Sequence, residues 1–189
     1  VTRVDDYIDA VAFDPATFRV GAFNVLQYAN QSARLYGVDL SGQMQLLSNA
    51  WGDWGLQGLI NYTRGENRDT GDELYNMMPL NARLTLTHRY AGWDNAVEWQ
   101  VVDSKDRGSD VRNEIGTHGY GLLNLRASYT WERVRLDFGA ENLLDKSYYL
   151  PTGGAYTGQG STMRITGVDW GVGVPGMGRS LYTGVTVNF

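Results

Sequence analysis

Thioether and aromatic side chains gather in the long polar segments of this 189-residue sequence. Thioether sulfur binds Cu(I), although adaptable apolar contact is the favoured interpretation here because no Cys or His lies nearby in sequence. Tyrosine and tryptophan rings either stack on a chelated ligand or anchor loops to each other, and the sequence leaves both open. The candidates for contact with a small ligand are Tyr75, Met77, Met78, Tyr156, Met163 and Trp170.

Other polar groups in the sequence give little support for catalysis or metal binding. Asp69, Asp72 and Glu73 could bind a hard cation through oxygen, but a solvated acidic loop is the favoured interpretation. No Ser/His/Asp set has local support around His88 or His118, and the acids show no paired spacing. With no cysteine in the chain, thiolate metal sites and disulfides are excluded. We therefore expect no catalytic residue and no metal site.

One glycine-rich stretch, residues 171–176 (GVGVPG), matches the dinucleotide fingerprint G-x-G-x-x-G. That fingerprint requires a strand before it and a helix after it. Here Pro175 interrupts the motif and a strand-like segment follows. The glycines are better explained by compact folding of a long loop, so no bound cofactor is expected.

Alternation of apolar and polar residues recurs along the chain and is most regular in its last ten residues. There Leu181, Val185 and Phe189 share one strand face, while Thr186 and Asn188 share the other. The sequence contains neither a sustained helical period nor an apolar run of about 18 residues. The pattern predicts eight strands, within residues 2–13, 33–46, 54–62, 80–90, 97–101, 123–131, 134–140 and 181–189.

The predicted strands are joined by connections that alternate between long and short. Short turns fall at 48–53, 91–95 and 132–133. Long Gly- and Asp-rich segments fall at 14–30, 65–79, 104–119 and 150–178. This segregation is typical of an outer-membrane β-barrel, whose turns are short on the periplasmic side and long outside, and is not expected of a β-sandwich.

Aromatic residues lie at both ends of the predicted strands, as two interfacial girdles require. One set flanks the short turns or the C-terminus: Trp51, Trp54, Tyr90, Trp93, Trp131 and Phe189. The other set lies where strands meet long loops: Tyr36, Tyr62, Tyr120, Tyr148 and Tyr149. Packing in a soluble core is the alternative, but core aromatics would also occupy the middle of strands.

The alternation also predicts which side chains face lipid and which face the barrel lumen. Lipid-facing residues are expected to be Leu123, Leu125, Ala127, Leu136, Phe138, Val185 and Val187, and lumen-facing residues Asn124, Arg126, Asp137 and Thr186. Charged residues with lumen parity are Arg83, Glu98, Arg126, Arg135, Asp137 and Glu141.

Charge and hydropathy restrict the classes of partner. The formal net charge of −5 argues against nucleic acid, because phosphate binding requires a basic face. A mean hydropathy of −0.35 is compatible with a barrel, since half of each strand faces the lumen. Residues 1–20 contain no secretory h-region, so we expect a mature chain or a fragment of a longer one.

Three segments carry a resemblance to a known family. Residues 141–149 (ENLLDKSYY) resemble the penultimate strand and its exit in TonB-dependent receptors of Gram-negative outer membranes. Residues 175–182 (PGMGRSLY), leading into a last strand that ends in Phe, are similar to the closing segment of the same family. Residues 35–40 (LYGVDL) look like an inward strand found further upstream in these receptors.

The resemblance implies an all-β fold, an antiparallel transmembrane barrel of about 22 strands with a plug inside it. Residues 1–189 would supply the eight C-terminal strands, while the plug, the earlier strands and the segment that meets TonB would lie outside this chain. The implied function is active transport across the bacterial outer membrane of a scarce nutrient, most often a ferric siderophore or another metal chelate. The implied partners are membrane lipid, the rest of the receptor, TonB and the nutrient.

Two alternatives remain at the level of sequence. One is a complete small eight-stranded barrel or passive pore with a structural or adhesive role, and the other is a soluble β-protein that binds carbohydrate. In a small barrel, residues 2–13 would pair with residues 181–189 to close the sheet. However, Asp5, Asp6 and Asp9 place charge on both faces of the first segment, so neither face is cleanly apolar. We therefore predict that the last strand pairs with the first barrel strand of a larger receptor.

Overall fold

The computed structural model describes residues 1–13, 19–20, 23–112, 114–155 and 172–189. No helix in these ranges has the length and apolar character needed to span a membrane. The described residues form twelve strands: β1 Thr2–Ala12, β2 Arg19–Val20, β3 Phe23–Asn24, β4 Leu26–Asn49, β5 Gly52–Asn67, β6 Asn81–Tyr90, β7 Trp93–Val102, β8 Tyr120–Trp131, β9 Val134–Glu141, β10 Tyr149–Ala155, β11 Val172–Pro175 and β12 Ser180–Val187.

Eight of these strands form one antiparallel sheet in the order β1-β4-β5-β6-β7-β8-β9-β12. The strands follow each other in chain order within the sheet. The small hairpins β2–β3 and β10–β11 are inserted between β1 and β4 and between β9 and β12. The predicted antiparallel sheet of eight strands is confirmed. A two-residue alternation of polarity leads to this fold because successive side chains of an extended strand point to opposite faces.

The two faces of the sheet differ in chemistry. Val185 lies opposite Leu136, while Arg126 lies opposite Gly139 on the other face. Large apolar side chains on the Val185 face are exposed, with Val185 itself at 65%, whereas Glu98 on the Arg126 face is only 5% exposed. We call these the outer face and the inner face. Arg126 and Val185 therefore point to opposite sides, which confirms the predicted faces.

Tight turns join the strands at one end of the sheet. Residues at these turns adopt positive φ, including Ala91 (46°), Gly92 (88°) and Glu132 (50°). Two successive positive φ values match the right-handed twist of a hairpin, and glycine adopts them without steric cost. The predicted short turns are confirmed, although β7 already begins at Trp93, immediately after the turn, rather than at Val97.

Two strands extend beyond the alternation visible in the sequence. β4 begins at Leu26 because it pairs with β1, whose Ala12 lies opposite Leu26. β5 continues to Asn67, past its last partner in β6, where Asn61 lies opposite Asn81. Parts of the segments predicted as long loops are therefore strand, and Val172–Pro175 of the glycine-rich stretch forms β11 rather than a strand-to-helix turn.

The sheet is open in the part of the chain that the structure describes. β1 and β12 are its two edges, and no ladder joins them within these ranges. β12 pairs through all eight of its residues with β9, from Ser180 opposite Glu141 to Val187 opposite Val134. Pairing of the other edge of β12 with a strand outside the chain stays a prediction.

Candidate ligand-binding loops and inner wall

A buried ion pair connects the long loops at the end of the sheet opposite the tight turns. Lys105 and Glu114 form this pair with side chains only 2% and 5% exposed. Glu114 also accepts hydrogen bonds from the backbone N–H groups of Asn76 (2.9 Å) and Ser109 (3.0 Å). The Lys105 ammonium also donates to the carbonyl of Pro151 at 2.9 Å. Residues 68–80, 103–112, 114–119 and 142–155, which we call the loop cap, are thus joined.

Asp72 forms a second connection between two segments of the loop cap. Its carboxylate accepts hydrogen bonds from the Ser109 hydroxyl (2.9 Å) and from the backbone N–H groups of Asp110 (2.8 Å) and Val111 (3.2 Å). A carboxylate with several donors fixes loop geometry strongly, because charge-assisted hydrogen bonds exceed neutral ones in strength. Asp72 therefore has a structural role.

The other two acids of the proposed cation set also bind protein donors. Asp69 accepts the backbone N–H of Ser32 at 2.6 Å, and Glu73 pairs with the Arg64 guanidinium at 2.6 Å. Residues 68–71 are exposed, as expected of a solvated loop, and their neighbours Asp72 and Glu73 are partly buried by their protein contacts. Among the described residues, no group of three His, Cys, Asp or Glu side chains has the geometry to hold a metal ion.

Tyr75 lies in the loop cap and stacks with an arginine that the sequence did not suggest. The Arg112 guanidinium lies over the Tyr75 ring, with Cζ 4.9 Å from the ring centroid. Arg112 also pairs with Asp9 of β1 at 3.4 Å, which places both groups above the inner face. A lone arginine in an aperiodic loop gives no signal in sequence, so Arg112 was missed.

Met77 and Met78 line one cavity of about 220 Å³, whose wall also contains Arg64 and Lys105. Met78 packs against an apolar cluster that includes Tyr120 of β8. Met77 and Met78 are adjacent in sequence, and both side chains line this cavity. Tyr156, Met163 and Trp170 lie outside the described residues, so their place relative to Met77 and Met78 stays a prediction.

Two tyrosines that we predicted in the aromatic girdle lie elsewhere. Tyr120 is 7% exposed and its ring centroid lies 4.3 Å from that of Tyr148. Tyr120 lies opposite Val102 on the inner face, so its ring packs inside the sheet under the loop cap. Tyr36 and Tyr62 do have outer-face parity, in register with Arg64 and Val38 respectively.

The inner face carries a buried carboxylate held by two arginines. Glu98 accepts hydrogen bonds from Asn124 (3.0 Å) and Arg126 (3.2 Å), and the Arg83 guanidinium lies 3.8 Å from its other oxygen. Both arginine side chains remain about half exposed, at 51% and 47%. The predicted lumen orientation of Arg83, Arg126 and Glu98 is confirmed.

The two C-terminal motifs that carry the family resemblance contact each other in space. The Asn142 amide group donates to the carbonyls of Lys146 (2.9 Å) and Met177 (3.0 Å). Asp145 accepts the backbone N–H of Arg179 at 2.9 Å, and this hydrogen bond together with the nearby guanidinium lowers the pKa of Asp145. Residues 141–149 and 175–182 therefore form one junction.

The fold and its two ends define a class of protein. The sheet is antiparallel, with an apolar outer face and a polar inner face. It has tight turns at one end and interlocked loops at the other. These features together define the wall of an outer-membrane β-barrel. The sequence profile of a family described as "TonB dependent receptor-like, beta-barrel" matches residues 1–143. The chain belongs to the TonB-dependent receptor family, and its compartment is the bacterial outer membrane.

Individual relatives agree with this assignment. The chain is 28% identical over 151 residues to heme/hemopexin utilization protein C of Haemophilus influenzae, a match that covers 75% of this chain and 20% of the relative. Among solved structures, the copper transporter OprC is 26% identical with a TM-score of 0.78, covering 99% of this chain and 28% of that one. The ferric yersiniabactin uptake receptor FyuA from Yersinia pestis is 20% identical with a TM-score of 0.65, covering 86% and 25%.

The likeness to FyuA supports the fold alone, because the identity is low. The chain spans about a fifth of the curated relatives' length and about a quarter of the solved structures' length. The chain therefore corresponds to only a part of each of these proteins.

Proposed function

We propose that this chain forms part of the barrel wall and the outer loops of a receptor that takes up a scarce nutrient across the outer membrane. The plug and the remaining strands would be supplied by the rest of the same receptor, and TonB would supply the energy by acting on the plug. The observation that supports this proposal most directly is the open sheet, which has a polar inner face beneath the loop cap. No catalytic step is part of this proposal.

The preferred ligand class is a metal chelate such as a ferric siderophore or heme. Tyr75 offers an exposed ring and Arg112 a cation at the loop end of the sheet, above the inner face. An aromatic ring beside a guanidinium suits a flat or anionic chelate, because stacking and charge act on the same ligand. The heme/hemopexin utilization relative is in keeping with this class.

Copper is the second candidate, supported by a separate observation. Met77 and Met78 line the same cavity, and thioether sulfur is a soft ligand that favours Cu(I). The 26% identity to the copper transporter OprC is in keeping with it. The six loop candidates Tyr75, Met77, Met78, Tyr156, Met163 and Trp170 remain our proposed contacts for either ligand.

The test measures uptake by the full-length receptor in cells that lack other receptors of this family. Labelled ferric siderophore, heme and copper are supplied separately, with and without TonB. Under the proposal, uptake of one ligand depends on TonB and on the loop cap. Equal uptake without TonB would favour the passive pore, and no uptake of any ligand would favour a structural or adhesive role.

Matched substitutions separate the two ligand candidates. Tyr75→Ala should reduce chelate uptake about tenfold, the order expected for loss of one stacking contact, whereas Tyr90→Ala at the tight turns should not. Met78→Leu conserves volume but removes sulfur, so it should reduce only copper uptake, with Met44→Leu on the outer face as control. If Met78→Leu and Met44→Leu behave alike, the copper candidate fails.

A further inference from the structure

Two carboxylates on facing loops of the loop cap hold each other's backbone beside the stack of Arg112 on Tyr75. Asp72, in the loop after β5, accepts a hydrogen bond from the backbone N–H of the residue before Arg112 at 3.2 Å. Glu114, in the loop after β7, accepts the backbone N–H of the residue after Tyr75 at 2.9 Å. The backbone next to each member of the stack is therefore fixed by the other loop.

The Arg112 side chain depends on a residue outside both loops. Asp9 of β1 is its one hydrogen-bonding partner within the described ranges, with 3.4 Å between Nη2 and Oδ1, while its Nε is buried there without a partner. The Asp9 side chain is only 8% exposed, and its Oδ1 also accepts the backbone N–H of Ala10 at 2.7 Å. Because Asp9 lies on a paired strand, it gives the guanidinium a fixed reference point.

The stack presents two kinds of contact at one place above the inner face. The Tyr75 ring is exposed, and the Arg112 side chain keeps 25% of its surface in solvent. A guanidinium that lies over a ring keeps its N–H donors in its own plane, where they fit the two oxygens of a carboxylate. Asp9 takes only one of these donors. A planar ligand with a carboxylate could therefore contact the ring and the guanidinium together.

We propose that Asp9 is a positioning residue for ligand recognition, which holds Arg112 over Tyr75 so that the pair selects a planar metal chelate carrying a carboxylate. Asp9 is too deeply buried to contact the ligand and acts through Arg112. Since Asp9 and Arg112 together carry no net charge, the direction of the N–H donors decides recognition, rather than long-range attraction. This role rests on the proposed uptake function and narrows its ligand class to chelates such as an iron porphyrin with free carboxylates.

The test measures binding of ferric protoporphyrin and of its dimethyl ester to the full-length receptor in detergent, by quenching of tryptophan fluorescence. The wild type should bind the free acid at least about tenfold more tightly than the ester, because only the acid forms charge-assisted hydrogen bonds. Arg112→Gln should abolish this preference. Equal binding of acid and ester by the wild type would overturn the proposal.

Asp9→Asn tests the positioning role itself, because it conserves volume and removes the charge that holds the guanidinium. It should weaken binding of the free acid about fivefold, the order expected when one long side chain must be ordered by the ligand instead. Binding of the ester should not change. In uptake by cells, the half-saturation concentration should rise while the maximal rate stays the same. A merely structural role of Asp9 would weaken acid and ester alike, which would overturn the proposal.

A double variant shows whether the two residues act through one contact. Asp9→Asn/Arg112→Gln should bind the free acid as Arg112→Gln alone does, because Asp9 has no guanidinium left to position. If the two losses multiply instead, Asp9 acts independently of Arg112 and the positioning role is refuted.

The outer face contains a matched control with the same three kinds of side chain. Arg34 lies with Cζ 5.6 Å from the centroid of the Tyr36 ring and pairs with Glu66 at 2.7 Å. Glu66→Gln and Arg34→Gln should leave the preference for the free acid unchanged. If they reduce it as much as Asp9→Asn does, the effect is one of overall charge and the proposal fails. Resistance of each variant to SDS at room temperature checks that the barrel has folded.

Failure of this proposal is distinguishable from failure of the proposed function. If uptake depends on TonB but the wild type binds neither porphyrin, or binds both equally, the selection of carboxylate chelates is wrong and the uptake function stands. If no ligand is taken up in a TonB-dependent way, the uptake function fails, and the role of Asp9 fails with it.

Discussion

At the scale of single residues, the Lys105–Glu114 pair determines how firmly the loop cap is held. Lys105→Met would leave the Glu114 carboxylate buried without its cation, and breaking a buried pair costs about 3–5 kcal/mol. Hydrogen exchange of the full-length receptor should show lost protection in 68–80 and 103–119. The double variant Lys105→Met/Glu114→Gln should lose less, because no uncompensated charge remains.

An exposed ion pair at the opposite end gives the matched control for that prediction. Arg89 and Asp94 lie 3.2 Å apart with side chains 69% and 46% exposed. Arg89→Gln should therefore change stability by only about 0–1 kcal/mol. If Lys105→Met leaves loop protection at the level of Arg89→Gln, then the buried pair does not hold the loop cap together.

The same residues show how far sequence can specify a site. Tyr75, Met77 and Met78 could be selected because aromatic and thioether groups in a long polar segment are unusual. Glu114 and Arg112 could not, because their partners Lys105, Asn76 and Asp9 are fixed only by tertiary structure. A charged residue in an aperiodic loop looks the same in sequence whether it is solvated or buried.

At the scale of elements, the alternation specified strand faces accurately and strand lengths poorly. Leu125 and Arg126 were assigned to opposite faces because the side-chain period of a strand leaves no other choice. The extension of β4 to Leu26 was missed because both faces of the strand beyond the membrane meet water or loops, so no polarity pattern is required there. Tyr120 was misplaced for a related reason, since a tyrosine at a strand end suits either face.

The assigned faces predict unequal costs for one substitution at two adjacent sites of β12. Val185→Arg places a charge on the lipid-facing surface and should cost roughly 2–4 kcal/mol if the site is near the bilayer midplane. Thr186→Arg points to the inner face beside Arg135 and should cost much less. Urea titration of the full-length receptor in lipid measures both values, and equal losses would contradict the assigned faces.

At the scale of the whole molecule, the wall is organised from its two ends. Tight turns fix the strand pairs at one end, while the loop cap joins residues that are about 40 positions apart in sequence at the other. Residues 141–149 and 175–182 meet at the loop end and start β12 in register with β9. The sheet is therefore rigidly specified up to its last strand, and that strand presents an unpaired edge in the described part of the chain.

That edge leads to a prediction about the complete receptor. In hydrocarbon each unpaired backbone group costs several kcal/mol, so β12 must pair on the side away from β9. We predict that it pairs with the first barrel strand of the same receptor. A cysteine introduced at Val185 or Thr183 of β12 should form disulfides with cysteines at alternate positions of that first strand. Residues 1–189 contain no native cysteine that could compete. Val185→Cys should not crosslink to Ile8→Cys of β1, which lies at the other edge of the sheet. Efficient crosslinking of β12 to β1 would instead show that eight strands close on themselves, and the small barrel would replace the transporter.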